Sequence, residues 1–311
     1  MTTILFAAKY ERWDQYEAPL RHALADVGLA DATLTLDAAP ETVDYIVYAP
    51  NSGLSDFTPY TRLKAVLNLW AGVEDVVGNK TLKVPLARMV DDGLTEGMRE
   101  WVTGHVLRHH LGLDAHIHGQ DGVWRVGIVP PLARDRTVAI LGLGVLGEAC
   151  ARAMSGLGFH TLGWSRNPKD IPGVTTFHGA KGLRDTLEQA EIAVLLLPNT
   201  AATENTLNTD TLALMPRGAV IINPGRGPLI DDDALLAALD TGQIAHATLD
   251  VFRVEPLPVD HPFWAHPKVT VTPHIASETR AVTAARRVAE NIQRMEAGHP
   301  LIGLVDRDLG Y

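Results

Sequence analysis

The chain contains a single cysteine, Cys150, among its 311 residues, so no disulfide can form within it. Such scarcity is typical of proteins in a reducing compartment, and we expect this one to be cytoplasmic. Long apolar runs are also missing. The longest, such as IAVLLLP, are far shorter than the roughly 20 residues that a membrane-spanning helix requires. The sequence therefore argues against a disulfide-rich secreted domain and against a membrane protein.

Positive charge is in deficit, since 27 lysines and arginines face 37 acidic residues and the formal net charge is -10. Such a chain repels nucleic acid and anionic membrane at long range, and we expect neither as a partner. A small anionic substrate remains compatible, because a binding site needs only local positive charge. The segment TTILFAAKYERWD has no basic residue before its short apolar run, which predicts a first strand and not a signal peptide.

The length of the chain predicts two domains. Up to residue 94, short apolar runs alternate with polar helical stretches, and no glycine-rich loop follows the first strand. From Thr137 onward, continuous apolar runs are typical of strands buried on both faces of a parallel sheet. This pattern predicts an α/β fold with a Rossmann-type doubly wound parallel sheet and a smaller flavodoxin-like α/β domain.

Two long helices are predicted to connect the domains. The first starts at Thr95, after a hinge at residues 91–94, and reaches about His116; the second runs from Ser277 to Ala297 and ends at Gly298. We interpret the second helix as returning to the first domain and completing it. The predicted boundaries are residues 1–94 with 277–311 for a substrate domain, and residues 95–276 for a cofactor domain.

A glycine-rich loop lies between an apolar strand and a good helix. Its glycines have the G-x-G-x-x-G spacing that allows a tight turn, close approach of a pyrophosphate and close helix packing. An anion then binds at the helix N-terminus. The strand before and the helix after make this weak motif specific, and we predict that it binds the cofactor through Gly142, Leu143, Gly144, Val145, Leu146 and Gly147.

The next strand, HTLGW, ends in Ser165, Arg166, an Asn-Pro pair and Lys169, with no acid before Asp170. An NAD site usually has an acid there to accept the ribose 2′-hydroxyl. A hydroxyl and two cations would instead pair with a 2′-phosphate. We therefore predict NADP, with NADPH preferred over NADH. The alternative is that these residues form an ordinary solvated loop.

Three later strands each end near a residue whose side chain can bind an anion or exchange a proton. These residues are Arg226 in NPGRG, Glu255 in DVFRVEP and His274 in TPHIA. Ligands bind outside the carboxyl ends of parallel strands, so these side chains are predicted to meet. His274 is the candidate proton donor, because imidazole titrates near neutral pH. Glu255 is predicted to orient it and favour the imidazolium, and Arg226 to bind a carboxylate and polarise a carbonyl.

The order of GLGVLG, LLLPNT, NPGRG, DVFRVEPLP and TPHIA resembles the D-isomer-specific 2-hydroxyacid dehydrogenase family over nearly the whole chain. WSRNPK, TPHIASETR and the terminal VDRDLGY resemble, more narrowly, a branch that reduces small 2-keto acids with NADPH. The resemblance implies that Arg226 binds the substrate, that Glu255 supports His274 and that His274 is the acid/base. It also implies a homodimer built through the cofactor domains.

Further site residues are implied by the same resemblance. The backbone of Ala71, Gly72 and Val73 in NLWAGVE is expected to bind the substrate carboxylate. The cofactor is expected to be lined by Pro198, Asn199 and Asp250, with Asp250 near the nicotinamide carboxamide.

Two tryptophans and a group of histidines allow more than one interpretation. Trp70 and Trp264 are predicted to shrink the pocket to a two- or three-carbon acid, with burial in the core as an equal alternative. Five histidines lie at positions 105, 109, 110, 116 and 118, but HVLRH lacks the glutamate of a zinc motif. We expect a solvated or interface helix face and no metal. Cys150 is interpreted as a small packing residue.

The sequence thus predicts an NADPH-dependent reductase of small 2-keto acids such as glyoxylate and hydroxypyruvate, yielding glycolate and D-glycerate. Two alternatives remain open. One is an NAD-linked dehydrogenase of larger or phosphorylated 2-hydroxy acids, and the other is a dinucleotide-sensing binding protein on the same fold.

Overall fold

The computed structural model describes residues 2–124 and 129–311. Its strands are, in chain order, β1 Thr3–Ala7, β2 Thr33–Thr35, β3 Tyr45–Tyr48, β4 Ala65–Asn68, β5 Leu86–Ala87, β6 Thr137–Leu141, β7 His160–Ser165, β8 Thr175–His178, β9 Ile192–Leu195, β10 Ala219–Asn223, β11 Ile244–Leu249 and β12 Val269–Val271. Its α-helices are α1 Trp13–Asp26, α2 Glu74–Val77, α3 Asp92–His110, α4 Leu113–Ile117, α5 Val145–Gly156, α6 Gly179–Leu187, α7 Thr209–Leu214, α8 Asp232–Thr241 and α9 Ala281–Glu296.

The chain divides into two compact units, one of Met1–Leu94 with Glu278–Tyr311 and one of Thr95–Ser277. In the described residues the first unit holds a five-stranded parallel sheet in the order β2-β1-β3-β4-β5. This is the flavodoxin-like order. Helix α9 packs against α1 in the same unit. The Glu296 carboxylate near its end accepts hydrogen bonds from the Tyr45 hydroxyl at 2.6 Å and from Lys64 Nζ at 2.7 Å.

The second unit holds, in the described residues, a seven-stranded parallel sheet in the order β12-β11-β10-β9-β6-β7-β8. Counted from β6, this is the Rossmann order with one strand added next to the sixth. Every residue of β9 and β10 is buried, as expected for strands covered by helices on both faces. The predicted fold class is confirmed. The order reverses between β6 and β9, and ligands of such sheets bind beside that point.

The predicted start of the first long helix is wrong by three residues. Helix α3 begins at Asp92, because the Asp91 carboxylate caps it by accepting a hydrogen bond from Leu94 N at 2.7 Å. The helix also ends earlier than predicted, at His110, and Gly112 with φ of +64° separates it from α4. In the described part of the chain, no helix has the length and apolarity needed to cross a membrane.

Candidate active site

The glycine loop has the geometry that its three glycines predict. A Cβ on Gly142 would lie 2.6 Å from the carbonyl oxygen of Leu196, and one on Gly147 would lie 1.7 Å from the carbonyl oxygen of Gly142, so neither position admits a side chain. A Cβ on Gly144 would meet nothing within 4 Å. Gly144 is the N-cap residue of α5 and has no side chain to cover the helix end. The start of α5 is therefore open to an anion.

The residues predicted to select the cofactor form a turn at the carboxyl end of β7, which is the neighbour of β6. The Ser165 hydroxyl donates a hydrogen bond to the Asn167 carbonyl at 2.7 Å, which bends the chain directly after the strand. Arg166 and Lys169 are exposed on this turn, as is Asp170, the first acid that follows. The turn thus presents two cations at the same edge of the sheet as the glycine loop.

The loop that carries Arg226 is shaped by Asn223, the last residue of β10. Its buried amide donates to the Arg226 carbonyl at 2.9 Å and accepts from Gly225 N at 3.1 Å. A Cβ on Gly227 would lie 1.9 Å from the carbonyl carbon of Phe252. The Gly227 backbone therefore lies against the loop that leads to Glu255. Sequence reasoning did not identify Asn223, although an amide at the end of a buried strand is a signal for such a tether.

Glu255 and His274 lie within hydrogen-bonding distance, with 2.7 Å between Glu255 Oε2 and His274 Nδ1. The other carboxylate oxygen accepts from Phe252 N at 2.9 Å. Burial by itself raises the pKa of Glu255, but these two hydrogen bonds and the nearby charges of His274 and Arg226 outweigh it and lower the pKa overall. Glu255 therefore stays ionised at neutral pH, and the structure pairs it with His274, while the Arg226 guanidinium donates to the Gly225 carbonyl at 2.7 Å.

Asp250 holds the loop on which His274 lies. Its carboxylate is fully buried and accepts hydrogen bonds from the Thr272 hydroxyl at 2.6 Å, Ile275 N at 2.9 Å and Ala276 N at 2.8 Å. His274 N donates to the Asp250 carbonyl at 2.8 Å, and His274 has a left-handed φ of +55°. A non-glycine residue adopts such a backbone only when its surroundings hold it there. In this structure the Asp250 carboxylate thus bonds to the protein's own loop, a role that sequence reasoning missed.

The predicted carboxylate loop follows β4 in the first unit. Asn68, only 1% exposed, donates through its amide to the carbonyls of Trp70 at 3.0 Å and Gly72 at 2.8 Å. These bonds turn two carbonyl groups of the loop inward. Ala71 and Gly72 remain partly exposed, while Val73 is buried. Asn68 is a second strand-end amide that sequence reasoning did not identify.

The two tryptophans are not core residues. Trp264 is 53% exposed, with its indole donating to the Pro258 carbonyl at 3.0 Å, and Trp70 is 38% exposed. The alternative of burial in the core is therefore wrong for both. Pro198 and Asn199 are partly buried after β9, where the Thr203 hydroxyl donates to the Pro198 carbonyl at 2.7 Å. Cys150 is fully buried, as its interpretation as a packing residue predicts.

The expected solvated histidine face of α3 is wrong for its central residues. His109 Nε2 lies 2.8 Å from Thr248 Oγ1 on β11, and the ring centroids of His109 and His246 are 4.8 Å apart. His246 Nε2 lies 2.9 Å from Thr270 Oγ1 on β12. These histidines pack α3 onto the sheet. Within residues 2–124 and 129–311, no group of three or more histidine, cysteine or acidic side chains could hold a metal ion.

These packed histidines are expected to destabilise the protein in acid. Burial, followed by neighbouring positive charge, lowers the pKa of His109 to about 3 and of His246 to about 4 from the ordinary 6.5. Between those values the unfolded chain binds more protons than the folded one, so the free energy of unfolding falls as the pH drops from about 6.5 towards 4. Because both rings are partly exposed, solvent reduces the effect, and we expect the free energy of unfolding to be roughly 1–3 kcal/mol lower at pH 4.5 than at pH 7. Urea unfolding at the two pH values measures this difference.

The His246→Gln variant separates this effect from other titrations. Glutamine keeps a hydrogen-bonding group near Thr270 but does not titrate, so the variant should lose less stability in acid than the parent. The matched control is His22→Gln, since the His22 side chain is 82% exposed on α1. The same acid-induced loss in His246→Gln as in the parent would contradict the prediction.

Comparison with known proteins agrees with this geometry. Residues 104–276 match the family model for the NAD binding domain of D-isomer specific 2-hydroxyacid dehydrogenases. The chain is 42% identical over 259 residues to the glyoxylate/hydroxypyruvate reductase A of Serratia proteamaculans, covering 80% of this chain and 82% of that protein.

Two solved structures are similar over the whole chain. A D-isomer specific 2-hydroxyacid dehydrogenase from Xanthobacter autotrophicus, in complex with NADPH and MES, has a TM-score of 0.93 at 38% identity and covers 100% of this chain and 99% of its own. The NADPH-dependent glyoxylate/hydroxypyruvate reductase of Sinorhizobium meliloti, in complex with NADP and sulfate, has a TM-score of 0.86 at 34% identity and covers 100% of both chains.

A Rossmann sheet that carries an open glycine loop after its first strand and a paired histidine and glutamate after its last two strands is typical of NAD(P)-dependent oxidoreductases. Within that class, the chain belongs to the D-isomer specific 2-hydroxyacid dehydrogenase family.

Proposed function

We propose that this protein uses NADPH to reduce small 2-keto acids, glyoxylate and hydroxypyruvate, to 2-hydroxy acids. The observation that carries the proposal is the 2.7 Å pair of His274 and Glu255, which places an acid/base group beside an ionised carboxylate. It lies in the same unit as the open glycine loop and the cationic turn after β7. The names of the Serratia and Sinorhizobium proteins support the choice of substrate.

The second unit offers the groups that an NADP dinucleotide needs. The open N-terminus of α5 suits the pyrophosphate, and the space beside Gly144 admits it. Ser165, Arg166 and Lys169 supply a hydroxyl and two cations for the 2′-phosphate. We place Pro198 and Asn199 along the cofactor, as the family resemblance implies. When bound, NADPH supplies the hydride to the carbonyl carbon of the substrate.

Three side chains of this chain then act on the substrate. His274, held by Glu255 through Nδ1, gives a proton from its other ring nitrogen to the carbonyl oxygen. The Glu255 carboxylate fixes the orientation of the ring through its contact with Nδ1. Arg226 binds the substrate carboxylate and stabilises the negative charge that develops on the carbonyl oxygen.

The exposed tryptophans are proposed to limit the size of the substrate. Trp264 lies between Glu255 and His274 in the chain, and its ring is held by the bond to Pro258 and is not buried in the core. A large ring with this much exposure can narrow a pocket for a two- or three-carbon acid. We assign Trp70, next to the carboxylate loop, the same effect.

One assay tests the function. Oxidation of NADPH and of NADH is followed at 340 nm with glyoxylate, hydroxypyruvate, pyruvate and a bulkier 2-keto acid. We expect turnover with NADPH and the small acids, and a much lower kcat/KM with NADH. A preference for NADH with bulkier acids would favour an NAD-linked dehydrogenase. Dinucleotide binding without turnover of any acid would favour a binding protein.

We also propose that the protein is a homodimer formed through the second unit. A set of apolar side chains around α4 is strongly exposed: Leu113, Ile117, Val123, Trp124, Val129 and Leu132. Trp124 is 90% exposed, and several large apolar side chains exposed in one stretch of the chain favour an interaction surface there. Sedimentation velocity should give the mass of a dimer for the parent and of a monomer for the double variant Ile117→Glu, Trp124→Glu. A parent that sediments as a monomer would overturn this assignment.

A further inference from the structure

Arg253 lies in the loop between Asp250 and Glu255, and neither the motifs nor the proposed reaction gives it a role. Its side chain is about 31% exposed and turns towards the loop after β10. Two atoms of the guanidinium donate to one carbonyl oxygen, that of Ile230, with Nε at 3.2 Å and Nη2 at 2.7 Å. Because this oxygen accepts from two nitrogens of one planar group, both its distance from the guanidinium and its direction relative to the guanidinium plane are fixed.

The same guanidinium reaches a third loop. Nη2 donates to Asn205 Oδ1 and, at 3.4 Å, to the Pro228 carbonyl. The backbone of that loop also bonds to the loop after β10, because Asn205 N donates to the Pro228 carbonyl at 2.9 Å. Two carboxylates complete the surroundings, with Glu204 Oε1 at 3.5 Å from Nη1 and Asp232 Oδ1 at 3.9 Å from Nε.

Each of the three loops carries part of the proposed site. The loop after β9 carries Pro198 and Asn199 and reaches residues 204–205, the loop after β10 carries Arg226 and reaches Ile230, and Arg253 itself is two residues from Glu255. The loops already touch near the site, since a Cβ on Gly227 would lie 2.4 Å from Arg253 N. The guanidinium adds contacts from Arg253 to Ile230, Pro228 and Asn205.

We propose that Arg253 is a positioning residue, whose guanidinium joins the three loops and so fixes Arg226 relative to Glu255 and the cofactor loop. The expected effect of Arg253 on catalysis rests on the proposed function. A displacement of about 1 Å in a substrate-binding group can cost about a hundred-fold in rate. Lysine carries the same charge but a single donor nitrogen, so it cannot hold the Ile230 carbonyl through two atoms of one planar group as Nε and Nη2 do.

The test compares Arg253→Ala and Arg253→Lys with the parent, using NADPH and glyoxylate. We expect kcat of Arg253→Ala to fall about ten- to a hundred-fold and the KM for NADPH to rise several-fold, with little recovery in Arg253→Lys. Added methylguanidinium, which fits the vacated space, should restore part of the kcat of Arg253→Ala. The control is Arg217→Ala, which removes a single bond to the Thr241 carbonyl at the opposite edge of the sheet and should leave kcat unchanged.

Hydrogen exchange gives a readout that needs no turnover. Leu207 N donates to the Leu229 carbonyl, and Asp231 N to the Leu207 carbonyl, where the loops after β9 and β10 meet. These amides should exchange faster in Arg253→Ala than in the parent or in Arg217→Ala. Unchanged exchange together with unchanged kcat would overturn the proposal, as would a fall in melting temperature with kcat per folded molecule intact. An inactive parent would refute the proposed function, and exchange would still decide whether Arg253 joins the loops.

Discussion

Replacement of His274 by alanine is expected to lower kcat for glyoxylate reduction with NADPH by about a hundred- to ten-thousand-fold, because the carbonyl oxygen loses its proton donor. The structure supports a specific loss at this residue. The Nδ1 atom is 2.7 Å from Glu255, and the surrounding loop has further bonds of its own, from Ile275 N and Ala276 N to the Asp250 carboxylate. The loop should therefore keep its conformation when the ring is removed.

The control for this variant is His22→Ala, an exposed histidine of the first unit, which should retain full activity. The affinity for NADPH, measured by fluorescence titration, should change little in His274→Ala, because the ring acts on the reacting carbonyl. A His274→Ala protein with parental kcat would disprove the acid/base assignment. A loss of NADPH binding as large as the loss of kcat would instead indicate that the loop had collapsed.

Replacement of Arg166 by alanine should weaken the binding of NADPH and leave the binding of NADH almost unchanged. A hydrogen-bonded contact between a guanidinium and a phosphate contributes about 1.5–3 kcal/mol, which corresponds to a roughly ten- to hundred-fold rise in the KM for NADPH. NADH has no 2′-phosphate and therefore loses nothing. Because Arg166 is exposed on the turn after β7, we expect the variant to fold like the parent.

The matched control is again Arg217→Ala, which should change kcat/KM with neither cofactor. Arg217 is an exposed arginine just before β10, hence at the other end of the strands. The measured quantity is the ratio of kcat/KM for NADPH to that for NADH. An equal loss with both cofactors in Arg166→Ala would remove the residue from the 2′-phosphate site. Unchanged kcat/KM with both cofactors would assign the selectivity to Ser165 and Lys169.

The strands and the glycine loop were predictable because their signals are local. A continuous apolar run favours burial on both faces, and strands β6 to β12 lie in the part of the chain, from Thr137 onward, where such runs predict a parallel sheet. Gly142 and Gly147 are required by backbone atoms close to them in the loop or at its neighbouring strand. The helix limits were less accurate, because the start of α3 depends on the Asp91 side chain and a cap one residue outside the helix.

The histidines of α3 show where a local pattern fails. HVLRH is amphipathic, and the sequence alone gives no reason to bury His109. The structure partly buries the ring because Thr248, 139 residues later, provides a hydroxyl for it, and because it packs against His246, whose own ring is held by Thr270. A partner at that separation cannot be found from the spacing of one segment, since hydrogen bonding across a sheet depends on its strand order.

By itself, the amino-acid sequence determined the α/β fold class and the family, and it predicted the dinucleotide loop and the candidates Arg226, Glu255 and His274. Each of those conclusions depends on residues close together in the chain or on the general rule that ligands bind at strand ends. Only the tertiary structure decided that His274 pairs with Glu255, that Asp250 and Asn223 hold the loops, and that Arg253 joins three of them. The reason is geometric, because hydrogen bonds act over about 3 Å, and the parallel sheet brings together loops that are far apart in sequence.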